Sequence, residues 1–375
     1  MGAIGDFFKN FFRDGDGEEY VPTPIREASA RPEFDRMADL LPYSGWDHEH
    51  QLFLLDGAKH DDCEAVGFCL EMYPQTGASR DMADLLAVLF TYMPTGTGVQ
   101  WTLMGTPLID DFLDAFVSMR PDPRSARTQE EFDKRRLHRQ LVSGLAKHYL
   151  RGSMKTMVAN QPYLLRDFRL VMSVVVPIKD KDDEEAKKAV CALRETCITT
   201  LKTYYQYYRT WTPDDLINWC ALLLNPQDTI LKHDIPELNY DDSRRMREQI
   251  VAPSTVTRVT ESGLLYGLPQ HGNEILARCI SMRSYPKATT LHAMGQVIGD
   301  FLQPSLGYTC PYAITIGVMT QDYEETRAAT QIKAARATQK ADSPMAKFMP
   351  ELQEIKQDWD IALKAFDGGT GTVKL

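Results

Sequence analysis

The side chains best suited to chemistry gather between Trp46 and Cys63. His48, His50, His60, Asp61, Asp62 and Cys63 can all ligate a metal. Their spacing matches no zinc pattern, so they read as polar residues at the ends of a loop, and no metal is expected. Asp14, Gly15, Asp16 and Gly17 begin like a calcium loop. The third acidic ligand and the glutamate at position twelve are missing, which excludes calcium. A basic group, Lys134, Arg135, Arg136, His138, Arg139, Lys147 and His148, could touch phosphate. Glu130, Glu131 and Asp133 precede it in the order that complements a helix dipole, which marks a solvated face. Tyr204, Tyr205, Tyr207, Tyr208 and Trp211 could stack on bases or anchor an interface. Without basic neighbours, packing between elements is the commoner use of such a cluster. The chain has no G-x-x-x-x-G-K-[ST], G-x-S-x-G or H-E-x-x-H motif, and no nucleophile with an evident base. No catalytic, cofactor-binding or metal residue is therefore assigned.

One functional candidate does emerge at the N-terminus. Ile4, Phe7, Phe8, Phe11 and Phe12 fall on one face of a helical repeat, with Asp6, Lys9, Asn10 and Arg13 elsewhere. Four phenylalanines on so short a helix need a partner surface: a membrane interface, a groove on another protein, or the chain's own body. The polar face is poor in Lys and Arg, which favours protein over anionic lipid. Residues 14–31, with Pro22 and Pro24, read as a tether.

The elements that must carry these groups follow from periodicity. Val66, Phe68, Leu70 and Met72 alternate as a half-buried strand, and Gln51 to Leu55 reads as another strand before it. Ser79 is an N-cap candidate for a helix carrying Met82, Leu85, Leu86, Leu89, Phe90 and Met93, stopped by Pro94. Val99, Trp101 and Leu103 form the next strand. Helices are predicted over 108–119 and 128–150, a strand over 168–176, and a helix from a charged entry at 179–188 to about Arg209. Thr212 and Pro213 start another helix. Thr255 to Thr260, Ile275 to Met282 and Tyr312 to Met319 read as strands, with a helix over 291–302 between the last two. Two helices close the chain, 322–340 and 345–366. The first is polar almost all round, the pattern of a helix spanning solvent between domains. The fold class is α+β: ferredoxin-like strand–helix units, antiparallel or mixed sheets with helices on one face, and several flanking helices. The order of elements in 50–106 and 274–320 is similar, which hints at duplicated architecture.

At 375 residues, 43% hydrophobic and 25% charged, the chain is an ordinary globular protein long enough for two domains. A net charge of −10 argues against a broad nucleic-acid surface, although a local basic patch remains compatible with it. Seven scattered cysteines without C-x-x-C fit a reduced setting better than a disulfide framework. No apolar run reaches transmembrane length, and no signal peptide is visible.

Five collinear segments carry a family resemblance: LLPY (40–43), QLFLLD (51–56), GFCLEMYPQTGAS (67–79), CISMRSYPKATTLHAMGQVIGDFLQPSLGYTCPYAITIGVMTQD (279–322) and PMAKFMPELQEIKQDW (344–359). Together they resemble the N-terminal region of the TraC family, the conjugation ATPases of F-type type IV secretion systems. The resemblance implies a docking and assembly domain that links a cytoplasmic motor to the inner-membrane pilus-assembly and DNA-transfer machinery. It implies bacterial cytoplasm, peripheral to the inner membrane, with a TraL-type membrane component as partner and hexameric self-association of the intact protein. ATP and Mg are expected only in a C-terminal motor beyond Leu375, so this chain itself is expected to be no enzyme and to make no direct nucleic-acid contact. The corresponding divisions are 1–33, leader and tether; 34–250, a first α+β subdomain with a helical insertion; 251–322, a second strand–helix–strand unit; and 323–375, a helical connector towards the motor. The alternative is a complete stand-alone scaffold, or an enzyme with an unrecognised site.

Overall fold

The computed structural model describes residues 36–56, 63–75, 77, 79–158, 163–205, 208–231, 237–281, 308–343, 351–367 and 373–374. Its centre is a split strand–helix–strand unit. Strand β1 (Tyr43–Asp47) and β2 (Leu52–Asp56) form a hairpin that leads into β3 (Cys63–Met72). Helix α1 (Arg80–Thr91) then crosses to β4 (Gly98–Thr106). The Ser79 hydroxyl caps α1 by accepting the Met82 N–H at 3.2 Å, the role expected of a serine just before an apolar-periodic run.

Two helices follow, α2 (Asp110–Ser118) and α3 (Gln129–Met154), and the chain returns through β5 (Asp167–Pro177). Strand β5 lies between β3 and β4, antiparallel to both, so β3 and β4 run parallel to each other without touching. Helix α4 (Glu184–Leu201) leads to β6 (Tyr208–Thr210), which pairs with β3 over Leu70–Met72. The spatial order β6-β3-β5-β4 is the ferredoxin-like arrangement. It comes with α1 and α4 on one face, where Val66, Phe68, Leu70, Met72, Met172 and Val174 meet Leu89, Val190, Leu193 and Cys197.

Helix α5 (Pro213–Leu224) covers part of the opposite face. Leu216, Ile217 and Cys220 pack there with Phe53, Cys69, Val171, Met246 and Ile250. Helices thus lie on both faces of the sheet, which corrects the one-face expectation. On this second face β3 and β5 offer Cys69 and Val171 to the packing, among residues that are otherwise smaller or more polar than those of the first face.

A separate three-stranded sheet holds β7 (Thr257–Thr260), β8 (Gly263–Tyr266) and β9 (Ile275–Ala277). Strand β10 (Tyr312–Thr320) rejoins the large sheet beside β4. Helices α6 (Tyr323–Ala341) and α7 (Glu351–Asp367) follow, and β11 (Val373–Lys374) pairs with β10. All observed pairings are antiparallel, which resolves the choice between antiparallel and mixed sheets. The glycine-rich turn at Thr95–Gly98 serves this joining. Gly96, at φ +82°, donates its N–H to Thr320 O at 2.9 Å.

Two expectations are corrected. The helix predicted to run to about Arg209 ends at Leu201, and Tyr208–Thr210 is strand. Edge pairing with β3 and burial of Tyr205 and Trp211 override the helical pattern there. Helix α6 does not span solvent alone. Its small residues Thr330, Ala334, Ala337 and Ala341 are buried and α7 packs along it. The Tyr323 hydroxyl donates to Phe366 O at 3.0 Å, and Lys333 sits 5.6 Å from the Trp359 ring centre. The helix predicted over 291–302 lies outside the described residues. Among the described residues no helix is long and apolar enough to cross a membrane.

Candidate functional site

The face of the sheet that α5 covers only in part carries a trough of about 530 Å³. Register creates it. Gly67 stands opposite Val175, Val175 opposite Gly98, and Gly98 opposite Met319. In the next row Cys69, Ser173, Gln100 and Gly317 align across four strands. Side chains on one face of neighbouring strands stand side by side, so these small residues merge into one depression. Tyr43, Phe53 and Leu216 wall one side and Met319 the other. At Gly67 a Cβ would stand 2.5 Å from Val174 O, so the floor there is set by close backbone approach. At Gly317 a Cβ would meet nothing within 4 Å.

The chemistry of this floor is inert. Burial pushes the Cys69 thiol up to about 12, and its Sγ donates to Ser173 Oγ at 3.4 Å. The Cys220 thiol is also pushed up to about 12 by burial, and burial raises Tyr43 well above its ordinary value. A thiol at that value is not a nucleophile near neutrality. The trough is shaped to take apolar groups.

Further along the same strands lies a polar pocket of about 250 Å³ that includes Glu71, Asp111, Asp167, Arg169 and Arg209. Glu71 accepts from Arg169 Nε at 2.6 Å, Arg209 Nη2 at 2.5 Å and Trp211 Nε1 at 2.9 Å. Burial alone would raise its carboxyl. The Arg169 charge and the bonds from Arg209 and Trp211 outweigh burial and hold it below the usual range. Asp167 is raised, chiefly by burial. Arg169 also stacks 5.3 Å from the Trp219 ring centre.

The histidines singled out by sequence go to separate partners. His48 shares a hydrogen bond with Asp242 at 2.8 Å. His50 is buried between Asp47 and Glu184, at 3.4 and 3.3 Å. Lys187 of α4 contacts Asp47 at 2.7 Å and so ties the β1–β2 hairpin to the helix layer. His60, Asp61 and Asp62 lie outside the described residues, as do Ile4, Phe7, Phe8, Phe11 and Phe12. On α3, Arg135 pairs with Glu131, Arg136 with Asp133 and Arg139 with Asp122. Tyr205 and Trp211 are buried and Lys202 lies 4.9 Å from the Tyr208 ring centre, so these members of the cluster pack, while Tyr207 lies outside the described residues.

The Asp47 cluster has an acid limb. Burial alone would raise the Asp47 carboxyl, but Lys187 and the His50 N–H hold it at about 2 against an ordinary 3.8. A depressed carboxyl stabilises the fold fully above its unfolded value, and the contribution disappears as pH falls from 3.8 through about 2. Asp47→Asn is expected to lose about 2 kcal/mol at neutral pH and to flatten the loss of stability in that window. Urea unfolding of both proteins at neutral pH and at the foot of the window is the check. A parallel offset between the two at every pH would overturn the linkage.

A family model described as "TraC protein" matches residues 37–374. Protein TraC of Escherichia coli (strain K12) is 24% identical over 351 residues, covering 91% of this chain and 37% of that protein. The chain thus spans little more than a third of the length of the curated relative it matches. With the family model covering nearly all of its length, the chain belongs to the TraC protein family.

Proposed function

We propose that this chain is the docking and assembly part of a type IV secretion conjugation ATPase, holding the motor against the inner-membrane pilus-assembly and DNA-transfer machinery. The observation that carries the reading is the apolar trough on the partly covered sheet face, inert in chemistry and open at Gly317. Such a surface binds a partner segment by area and shape rather than by reaction. Family membership and the coverage of only 37% of the E. coli relative support placing ATP, Mg and turnover elsewhere in the protein. A TraL-type membrane component is the partner in this reading, the intact protein is a hexamer, and the site is peripheral at the cytoplasmic side of the inner membrane. The leader residues Ile4, Phe7, Phe8, Phe11 and Phe12 add a second contact to the same machinery.

Two variants test the two contacts. Gly317→Phe fills the trough where a side chain meets open space, so the fold is kept while docking is blocked. Phe8→Asp with Phe12→Asp removes the apolar face of the leader. Each is expected to reduce co-fractionation with machinery-containing inner membranes by about tenfold, about 1.4 kcal/mol of binding, at an unchanged melting temperature. Unchanged co-fractionation of Gly317→Phe overturns the trough as the docking surface, and unchanged co-fractionation of the double variant overturns the leader's role.

A further inference from the structure

The large sheet ends on one side in a strand with little pairing on its outer edge. Strand β10 pairs with β4 in unbroken register, from Tyr312 opposite Gly105 to Met319 opposite Gly98. On its outer side β11 takes only Met319 and Thr320. From Tyr312 to Val318 no described residue pairs with that edge. Natural edge strands carry a lysine, a proline or a bulge that deters a further strand. The stretch YAITIGVMT has no charge and no proline, and its ladder with β4 has no register shift. Ile316 and Met319 on it are 48% and 47% exposed.

The direction of the backbone groups says which residues are free to bond. Thr320 donates its N–H to Thr97 O at 3.0 Å and accepts from the Gly96 N–H at 2.9 Å, so its groups point inward. In an antiparallel ladder the direction alternates from residue to residue. Ala313, Thr315 and Gly317 therefore present both N–H and C=O outward, as Met319 does to Lys374. A row of such groups at strand spacing is matched by another extended chain. Two neighbours limit the row. Pro311, on the outward phase, has no N–H, and β11 already holds Met319. The centre of the free row is Thr315.

A half-turn about Thr315 maps this row onto itself. An antiparallel copy sets Ala313 opposite Gly317, Thr315 opposite Thr315, and Ile314 opposite Ile316. Small meets small, a β-branched apolar residue meets its like, and no like charges meet. Thr315 already shares a hydrogen bond with Thr102 at 3.2 Å, and a second Thr315 hydroxyl continues that row. Such self-matching is what a two-fold contact requires. We propose that β10 is a homodimer edge: two copies of this chain pair antiparallel through Ala313–Gly317, with Thr315 on the two-fold axis, and join their large sheets into one. The contact goes beyond the docking reading and rests on neither the trough nor the leader. It adjoins the trough at Gly317, so the test leaves that residue unchanged.

The test is sedimentation of the full 375-residue chain between about 1 and 100 µM, the range of modest interfaces. The parent is expected to pass from monomer to dimer, and more readily with added salt, which screens two bodies of −10 each. Ala313→Pro removes an outward N–H and spares the bonds to β4. Thr315→Lys sets two like charges opposite each other. Each is expected to weaken dimerisation at least about tenfold. Cys279→Ser with Cys310→Ser clears two exposed thiols. In that background Thr315→Cys is expected to give a disulfide-linked dimer on oxidation, because facing residues of a bonded pair stand about 5.5 Å apart at Cα. The background alone is expected to give none. Circular dichroism and melting temperature identify a variant that fails to fold, and the other variant with the cross-link then carries the result. A parent that stays monomeric at about 100 µM overturns the proposal. A dimer insensitive to both edge variants, or one that added salt dissolves, assigns the contact to another surface and overturns it as well. A dimer that Thr315→Cys fails to link overturns the two-fold register. Monomers whose amides at 313, 315 and 317 resist hydrogen exchange assign the edge to another segment of the same chain, and overturn it too. No machinery is present, so a failure here leaves the co-fractionation test of the trough and leader to stand or fall independently.

Discussion

Arg247→Met is expected to cost about 3–5 kcal/mol of folding stability, the largest single effect we anticipate. Arg247 Nη1 contacts Asp56 Oδ2 at 2.7 Å, with side chains only 5% and 8% exposed. The arginine sits in the short helical turn Met246–Gln249, and the aspartate ends β2. Met246 and Ile250 beside it are buried in the second core. Methionine preserves much of the stem packing but leaves a carboxylate buried without its cation, which is why the cost exceeds that of a lost surface pair. The double variant Asp56→Leu with Arg247→Met removes both charges and is expected to recover to within about 1–2 kcal/mol of the parent. Urea unfolding of the four proteins gives the coupling. A single-variant loss below about 1 kcal/mol would mean that water reaches Asp56 once Arg247 is gone.

Glu71→Ala is expected to cost about 3 kcal/mol and to loosen β6 from the sheet. Strand β6 has three residues and three register positions on β3, too few to hold alone. Glu71 supplements them by accepting from Arg209 on β6 and Arg169 on β5 together, and from the Trp211 indole. Charge-assisted bonds to a buried carboxylate are the strong kind; without them Arg209 keeps its pair with Asp215 at 3.0 Å and Arg169 its place over the Trp219 ring, but nothing joins β6 to β5 through a shared acid. Because the Glu71 carboxyl is held below its ordinary 4.5, its contribution is present above that value and fades as pH falls below it. Asp167 works in the opposite sense. Its raised carboxyl disfavours the ionised fold, and that strain is relieved on acidification. Glu71→Gln keeps the shape but not the charge, and is expected to lie between parent and alanine. Trp211 and Trp219, with ring centres 5.3 Å apart, give a fluorescence readout at the site itself. Tryptophan emission unchanged in Glu71→Ala would show that β6 stays in place without the carboxylate.

Much of the framework was readable from periodicity because each of those elements is locally self-consistent. Ser79 capping α1, alternation in β3 and β5, and Thr212–Pro213 opening α5 all combine burial pattern with end chemistry. The helix assigned to run on to about Arg209 failed at Tyr208, where tertiary pairing decided, since tyrosine serves a half-buried edge strand as well as a helix. Insertion of β5 between β3 and β4 left no trace in local pattern, because strand order is a property of pairs far apart in the chain. The Glu71 cluster was invisible for the same reason: Arg169 and Arg209 lie 98 and 138 positions away from Glu71. The trough did leave a signal. Gly67 with Cys69, Gly98 with Gln100, Ser173 and Gly317 are small or polar on one phase of strands whose other phase is apolar. Reading the strands together rather than singly would have exposed it.

The place of β10 has a consequence for birth on the ribosome. Strand β4 is complete by Thr106, whereas its outer neighbour is complete only at Thr320. With roughly 200 residues between them and synthesis at about 5–20 residues per second, the outer edge of β4 waits about 10–40 s for its partner. Throughout that interval a row of bare amide and carbonyl groups faces solvent beside Trp101 and Leu103, the kind of template on which nascent chains stick to one another. Slowing elongation between these strands should therefore raise the aggregated fraction of newly made protein, and faster passage should lower it.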